Sequence, residues 1–188
     1  MKKLNLKDLQ SDNPHVKYCC AKQAIALSAE NPAALHRKLG VFVPFLDGGN
    51  NVLRWTALIV IGNLASVDST GAIIKLVPRL IAFIKDASLI TAGNAVKALG
   101  KIARHKPRLR KKILRALVGV EKVTYYNKGK PSPECGNIMV GNVLDVLGGF
   151  AGELRGSAAV TAFARRHTHN KRPAVKQRAA ELLSRINK

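Results

Sequence analysis

The chain has 188 residues, 47% of them hydrophobic, so it can bury a core and is not a disordered tail. Lys and Arg total 32 against 11 Asp and Glu, which gives a net charge of +21. This imbalance predicts a polyanionic partner: nucleic acid, an anionic membrane or an acidic protein. The alternative is a basic surface that serves solubility alone.

The cysteines and the apolar stretches exclude two further classes of protein. Cys19, Cys20 and Cys135 are odd in number and two of them are adjacent, which excludes a disulfide framework. The longest apolar stretch, near residues 57–61, is far too short to span a bilayer. We therefore expect a cytoplasmic protein with no membrane association.

Three helix-like segments, starting at Lys17, Arg54 and Ala92, carry the same pattern of small and apolar residues. Three positions in each segment match: Cys20, Ala57 and Ala95; then Ala24, Ile61 and Leu99; then Leu27, Leu64 and Ile102. These positions are spaced so that they trace one helical face. The pattern recurs at Val143, Leu147 and Phe150 within residues 139–152, and at Ala179, Leu183 and Ile186.

A second helix is predicted after each of the first four segments, at about 32–46, 70–85, 107–118 and 153–167. Asn31-Pro32 and Pro107 are helix-start signals. The sequence therefore predicts one domain over residues 1–188. Its repeats are at about 12–48, 49–86, 87–119 and 136–169, with an insertion at 120–135 and a terminal helix at 172–187.

A helix pair that recurs every 37 or 38 residues, with Asn13-Pro-His-Val-Lys17 and Asn51-Val-Leu-Arg54 at its starts, resembles the HEAT-repeat family. The resemblance covers residues 12–187 and extends to small bacterial HEAT-like proteins, which offer no activity to transfer. It implies an all-α, right-handed α-α superhelix of about four helix pairs plus a C-terminal capping helix. It also implies that the second helices line the concave face, and that the basic residues Lys17, Arg54 and Lys176 have a structural role. The alternative is a plain helical bundle.

Positive charge is concentrated in two acid-free stretches, residues 87–120 and 154–180. Stepping by the repeat length places Arg37, Lys75 and Lys112 at equivalent points of successive second helices, which would form a ladder able to follow a phosphate backbone. The predicted polyanion-binding residues are Arg37, Lys75, Arg79, Arg104, Arg108, Lys111, Lys112 and Arg115. The alternative is a solvated outer edge.

The insertion adds two aromatic candidates, Tyr125 and Tyr126, which stand among Lys122, Lys128 and Lys130. Aromatic rings interleaved with cations can stack a base while the cations hold its phosphate. The alternative is that one tyrosine packs on the preceding helix and the other is exposed.

Catalytic and metal motifs give no support for an enzyme. The sequence has no P-loop, Rossmann glycine signature, HExxH or nucleophile elbow, and His167 and His169 fit a solvated turn better than a metal site. We predict no catalytic residue, no metal and no cofactor. DNA alkylation-repair glycosylases that are HEAT-like resemble the chain in charge and architecture. Their chemistry needs aromatics and a carboxylate, whereas no acid lies near Trp55, between Gly48 and Val67.

The prediction is thus a non-enzymatic module that binds DNA or RNA mainly through backbone phosphates. The first alternative is a scaffold for an acidic or amphipathic protein, because HEAT arrays mostly bind proteins. A glycosylase-like protein is the more distant alternative.

Overall fold

A computed structural model describes residues 4–187, and it confirms an all-α helical repeat solenoid. The α-helices in this range are α1 (Pro14–Glu30), α2 (Pro32–His36), α3 (Leu39–Phe42), α4 (Asn51–Leu64), α5 (Ala72–Ala82), α6 (Leu89–His105), α7 (Pro107–Val118), α8 (Pro133–Gly148), α9 (Ala158–His167) and α10 (Pro173–Ile186). Short 3-10 turns lie at Leu6–Gln10, Val43–Leu46, Phe83–Lys85, Gly119–Lys122 and Ala151–Leu154. None of the helices in residues 4–187 is both long enough and apolar enough to cross a bilayer.

Helices α1, α2, α4, α6 and α8 begin at capping residues whose side chains accept from the first backbone N–H groups. The Asn13 side chain accepts from the N–H of His15 at 2.9 Å, and the Asn50 side chain accepts from that of Leu53 at 3.1 Å. Proline occupies the first turn of α1, α2, α7, α8 and α10, where its missing N–H costs nothing. Local sequence therefore fixes where most helices start.

The helices form two layers that alternate along the chain. The first-helix layer consists of α1, α4, α6, α8 and α10, each packed on the next. The second-helix layer consists of α2 with α3, then α5, α7 and α9. Each second helix packs on the first-helix layer, so the chain buries one continuous core.

The first helices approach one another closely because small residues lie between them. A Cβ on Gly62 would lie 2.8 Å from the Ala98 Cα, and a Cβ on Gly100 would lie 2.8 Å from the Val146 side chain. The second helices contact one another much less than the first helices do, and a cleft of about 740 Å³ lies between α2 and α3 on one side and α5 on the other. Because the inner layer of a curved stack is the more closely packed one, we infer that the first helices form the concave side, and not the second helices as expected from the sequence.

The repeated positions identified in the sequence form the core. Cys20, Ala57 and Ala95 are buried, as are Ala24, Ile61 and Leu99. In the third set Leu64 and Ile102 are fully buried, and Leu27 is half-buried because it lies in the end repeat.

Several second helices are shorter than the sequence predicts. The predicted helix 32–46 divides into α2, α3 and a 3-10 turn at Val43–Leu46, which contains Pro44. Gly71 and Gly156 both have φ of +74°, so α5 begins only at Ala72 and α9 only at Ala158. A left-handed residue cannot continue a helix, and these glycines therefore set the boundaries.

The insertion is ordered rather than a plain loop. Strands β1 (Tyr126–Asn127) and β2 (Lys130–Pro131) pair antiparallel, with Lys128 and Gly129 at positive φ in the two-residue turn. Helix α8 then begins at Pro133, inside the predicted insertion of residues 120–135. The Ser132 side chain caps it by accepting from the Cys135 N–H at 3.3 Å.

Candidate polyanion-binding surfaces

One exposed stripe of helix α7 carries four cations: Arg108, Lys111, Lys112 and Arg115. Their spacing of i, i+3, i+4 and i+7 places them on a single helical face. The opposite face, with Ile113, Leu114 and Leu117, is buried in the core. None of the ion pairs formed within residues 4–187 includes any of the four. The stripe is therefore an un-neutralised positive surface on the second-helix layer.

Arg37 and Lys75 lie on the same layer in the preceding repeats. Arg37 is the C-terminal cap of α2 and Lys75 lies in α5, and both side chains are exposed. Together with the α7 stripe they define what we call the basic face: Arg37, Lys75, Arg108, Lys111, Lys112 and Arg115. Because this face belongs to the second-helix layer, it lies on the outside of the curve and not on the concave wall predicted from the sequence.

Two of the predicted polyanion-binding residues, Arg79 and Arg104, do not lie on the basic face. Arg79 forms an ion pair with Asp47, so its charge is already neutralised within the protein. Arg104 lies on α6, in the first-helix layer, with its guanidinium 5.7 Å from the centroid of the Phe150 ring. Neither residue belongs to the basic face.

The two tyrosines of the insertion have opposite environments. Tyr125 is 3% exposed, and its hydroxyl donates to the Ile84 carbonyl at 2.5 Å. Burial raises the pKa of Tyr125 to about 12. The prediction that Tyr125 stacks on a base is wrong, because its ring lies in the core. Tyr126 is 49% exposed on β1, so the stacking prediction stays open for that ring alone.

A groove of about 760 Å³ crosses the first-helix layer. Its residues come from the end of α1, from α4, α6 and α8, and from the turn after α8. We call it the first-helix groove, and the side chains that matter here are Asn63, Asn94, Lys97, Lys101, Arg104, Asn142, Asp145 and Phe150. It lies on the concave side of the solenoid, opposite the basic face.

The first-helix groove is positively charged at its centre. Lys97, Lys101 and Arg104 follow one face of α6, and none of them is in an ion pair formed within residues 4–187. The carboxylate of Asp145 forms an ion pair with Arg178, whose Nε lies 2.8 Å from Asp145 Oδ1, so it is neutralised from outside the groove. Partial burial, and then the nearby Lys97 charge, lower the pKa of Lys101.

At the basic position that recurs near the start of the first helices, Arg54 has a structural role. Its guanidinium donates to the carbonyl of Leu46 at 3.2 Å and to that of Gly48 at 2.7 Å. These carbonyls follow the second helix of the preceding repeat, so Arg54 ties two repeats together. The neighbouring Trp55 is half-buried and donates its indole N–H to Thr91 at 2.9 Å.

A buried carboxylate also joins successive repeats. Asp68 accepts from the backbone N–H of Ala72 and of Ile73, both at 3.2 Å, and lies 3.5 Å from Lys106 Nζ. His36 Nε2 lies 3.6 Å away on the other side. Burial alone raises the pKa of Asp68, but these hydrogen bonds, that of Thr70 and the Lys106 charge outweigh burial and hold it below its ordinary value.

The groove was only partly visible in the sequence. The common face of Lys97, Lys101 and Arg104 follows from helical spacing, but only Arg104 was among the predicted site residues. Asn94 and Asn142 occupy the same repeat position, 48 residues apart, which is the length of the repeat step that contains the insertion. This shared polar position could have indicated the groove from the sequence. It was not used, because the second helices were expected to line the concave side.

Comparison with known proteins defines the class of fold. No family model and no curated protein matches the chain. Among solved structures, the designed armadillo repeat protein YIII(Dq)4CqI is 20% identical, with a TM-score of 0.64 over 97% of this chain and 80% of that chain. A second designed armadillo repeat protein, solved in complex with peptide (KR)4, is 15% identical with a TM-score of 0.51, over 97% and 98% of the two chains. An engineered protein is 12% identical with a TM-score of 0.51, over 100% and 99%.

These neighbours and the two-layer architecture define the chain as an α-helical repeat solenoid. The similarity is of fold alone. It does not distinguish HEAT repeats from armadillo repeats.

Proposed function

We propose that the protein is a non-enzymatic module that binds nucleic acid through backbone phosphates, and that the basic face is the surface it uses. The observation that carries the proposal is the exposed α7 stripe of four cations without carboxylate partners. A fixed row of Arg and Lys side chains suits phosphate oxygens, which repeat along a strand and accept hydrogen bonds. The pattern of helix pairs supports a HEAT-like grouping for this solenoid.

The alternative of a merely solvated edge is less well supported. Elsewhere in the described chain, cations beside carboxylates form ion pairs, such as Arg110 with Glu153 and Arg166 with Glu121. The α7 stripe has no such partners, and like charges three and four residues apart on a helix repel each other. An external anion would remove that repulsion.

The glycosylase alternative finds little support in the groove. Asp145 is the carboxylate that lines it within the described residues, and this side chain is held by Arg178. Trp55 is engaged with Thr91. The proposal therefore remains a binding function.

The salt dependence of binding tests the proposal. If six cations of the basic face contact a duplex, the slope of log K against log salt concentration should be about −5. The variant K111Q/K112Q/R115Q removes three of them, so its slope should become shallower by about 3 units. Binding of labelled duplexes of two unrelated sequences, measured by fluorescence anisotropy across a salt series, gives both slopes.

A matched control removes the same charge from positions outside the basic face. Lys22, Lys171 and Lys176 are exposed and lie away from the basic face, on α1, before α10 and on α10. K22Q/K171Q/K176Q should leave the slope close to that of the unmodified protein. Equal slopes for the two triple variants, or no binding at low salt, would contradict the proposal.

A further inference from the structure

The β1–β2 hairpin is anchored to the rest of the protein at both of its ends. The Tyr125 hydroxyl donates to the Ile84 carbonyl at 2.5 Å, and the Tyr125 carbonyl accepts from the Ser132 N–H at 2.8 Å. The Ser132 side chain in turn caps α8. The hairpin is therefore tied to the 3-10 turn that follows α5 and to the start of α8.

This anchored hairpin presents one aromatic ring to solvent. Tyr126 pairs with Pro131 and follows the buried Tyr125, so its side chain lies on the opposite face of the strand. Of the Phe, Tyr and Trp side chains within residues 4–187, Tyr126 is the one that is exposed rather than buried or half-buried. Because the strand beneath it is fixed, the ring loses little conformational freedom when it meets a partner.

Four exposed lysines belong to the same region as this ring. Three lie in the hairpin and the turn before it, and the fourth directly follows Ile84, whose carbonyl holds Tyr125. Together with the ring they form what we call the hairpin cluster: Lys85, Lys122, Tyr126, Lys128 and Lys130.

The carboxylates nearest in sequence do not neutralise the hairpin cluster. Glu121 pairs with Arg166 at 2.6 Å, and Glu134 pairs with Arg172. The Asp86 carboxylate accepts from the backbone N–H two residues further on, at 2.8 Å. In the described part of the chain, no ion pair includes a lysine of the cluster. Four positive charges beside an exposed ring are thus available to an external partner.

A ring and several cations together select a particular ligand. Aromatic side chains stack on the flat faces of nucleobases while nearby cations hold the phosphates. In a duplex these faces are covered by the neighbouring base pairs, whereas an unpaired base exposes them. A partner that offers negative charge alone would use the lysines and leave the ring without a matching face.

The hairpin cluster also continues the basic face along the chain. Arg115 lies in the last turn of α7, and the 3-10 turn Gly119–Lys122 leads directly from α7 to the hairpin. The α7 stripe suits the phosphates of paired and unpaired strands alike, since both carry the same backbone charge. Tyr126 is the feature that distinguishes them.

We propose that the protein prefers single-stranded nucleic acid, with Tyr126 stacked on an unpaired base and the lysines of the hairpin cluster holding the adjoining phosphates. The inference rests on the proposed function, because the basic face holds the rest of the strand. It names the class of nucleic acid that the surface takes.

The test compares three ligands of equal length, about twelve nucleotides: an oligothymidylate, a strand of abasic sites and a duplex. The abasic strand keeps the phosphates and removes the bases. Fluorescence anisotropy at one low salt concentration should show the tightest binding for the oligothymidylate. Y126L keeps an apolar side chain but removes the ring, and should weaken oligothymidylate binding about tenfold.

The other two ligands and a conservative variant isolate the stacking contact. Y126L should bind the abasic strand and the duplex within about twofold of the unmodified protein, because neither offers a base face and one stacked base accounts for the tenfold effect. Y126F retains the ring and should bind oligothymidylate as the unmodified protein does. Circular dichroism checks that both variants keep their fold, as expected for an exposed position.

Charge variants separate the lysines from the ring. K128Q/K130Q should weaken binding of the oligothymidylate and of the abasic strand alike, since both carry phosphates. The control K22Q/K176Q removes equal charge from exposed positions on α1 and α10, outside the cluster, and should weaken neither as much. Equal losses in the two lysine pairs would overturn the role of the hairpin lysines.

An oligouridylate of the same length distinguishes RNA from DNA. Dependence on Tyr126 with either sugar supports the inference. Unchanged oligothymidylate and oligouridylate affinity in Y126L would overturn it, and so would an equal loss with the abasic strand or the duplex.

The inference and the proposed function fail in different ways. If the duplex binds with the expected salt slope but Y126L changes no affinity, the basic face stands and the single-strand preference is overturned. If neither the strands nor the duplex bind at low salt, the nucleic-acid function itself is overturned.

Discussion

At the scale of single residues, adjacent positions with similar sequence surroundings have different roles. Tyr125 is buried and bonded to the Ile84 carbonyl, whereas Tyr126 is exposed. The sequence predicted that both tyrosines could stack on bases. It could not separate them, because the partner of Tyr125 lies 41 residues away and is brought close only by the packing of two repeats.

Asp68 is the residue on which we expect stability to depend most strongly. It caps α5 and faces Lys106 and His36 from the two neighbouring repeats. D68N removes a buried charge that has partners on both sides, so the free energy of unfolding should fall by about 2–4 kcal/mol. Urea denaturation measures the change, with D12N as a control because Asp12 is exposed. Equal stability of D68N and the unmodified protein would contradict this role.

The pH dependence of stability provides a second readout of Asp68. Its pKa in the folded protein lies below the ordinary value of 3.8, so its contribution is fully present above that value. It is lost as the pH falls through the lower folded pKa, because the unfolded chain then binds the proton first. Between pH 7 and acid the stability of D68N should therefore fall less steeply than that of the unmodified protein.

At the scale of helices, the close approach of α4 and α6 depends on one glycine. A Cβ on Gly62 would lie 2.8 Å from a backbone atom, the Ala98 Cα, which cannot turn aside. G62A should therefore lower the free energy of unfolding by about 1–3 kcal/mol, although alanine is the better helix former.

Gly136 provides the matched comparison for this substitution. It lies in α8, and a Cβ there would meet nothing within 4 Å. G136A should stabilise the protein by up to about 1 kcal/mol through helix propensity alone. If G62A were as stabilising as G136A in urea denaturation, the two helices could not be packed as closely as described.

Most helices could be predicted because their signals are local. Proline in the first turn and capping side chains mark the starts, and the repeated apolar positions mark the buried faces. The start of α8 was missed although Ser132-Pro133-Glu134 is itself a start signal, since the insertion was predicted to extend to residue 135. The second helix of the first repeat breaks at Pro44, and this proline could likewise have been used to predict the break from the sequence.

At the scale of the whole molecule, the direction in which the solenoid curves could not be predicted from the sequence. Which layer lies inside depends on interhelical spacing, and this spacing is set by contacts such as that of Gly100 with Val146, 46 residues apart. The equivalence of Arg37, Lys75 and Lys112 does follow from the repeat, but the side of the solenoid on which they lie does not.

Two opposed charged surfaces follow from this curvature. The basic face is convex and exposed, and the first-helix groove is concave and contains amides as well as cations. In our proposal, nucleic acid binds the convex surface.

Mapping of backbone amide chemical shifts on the ¹⁵N-labelled protein, titrated with a short DNA duplex at low salt, tests this claim most directly. If nucleic acid binds the basic face, the perturbed amides should cluster in α7 and around Arg37 and Lys75. Perturbations confined to the groove residues of α6 and α8, or spread evenly over both layers, would contradict it.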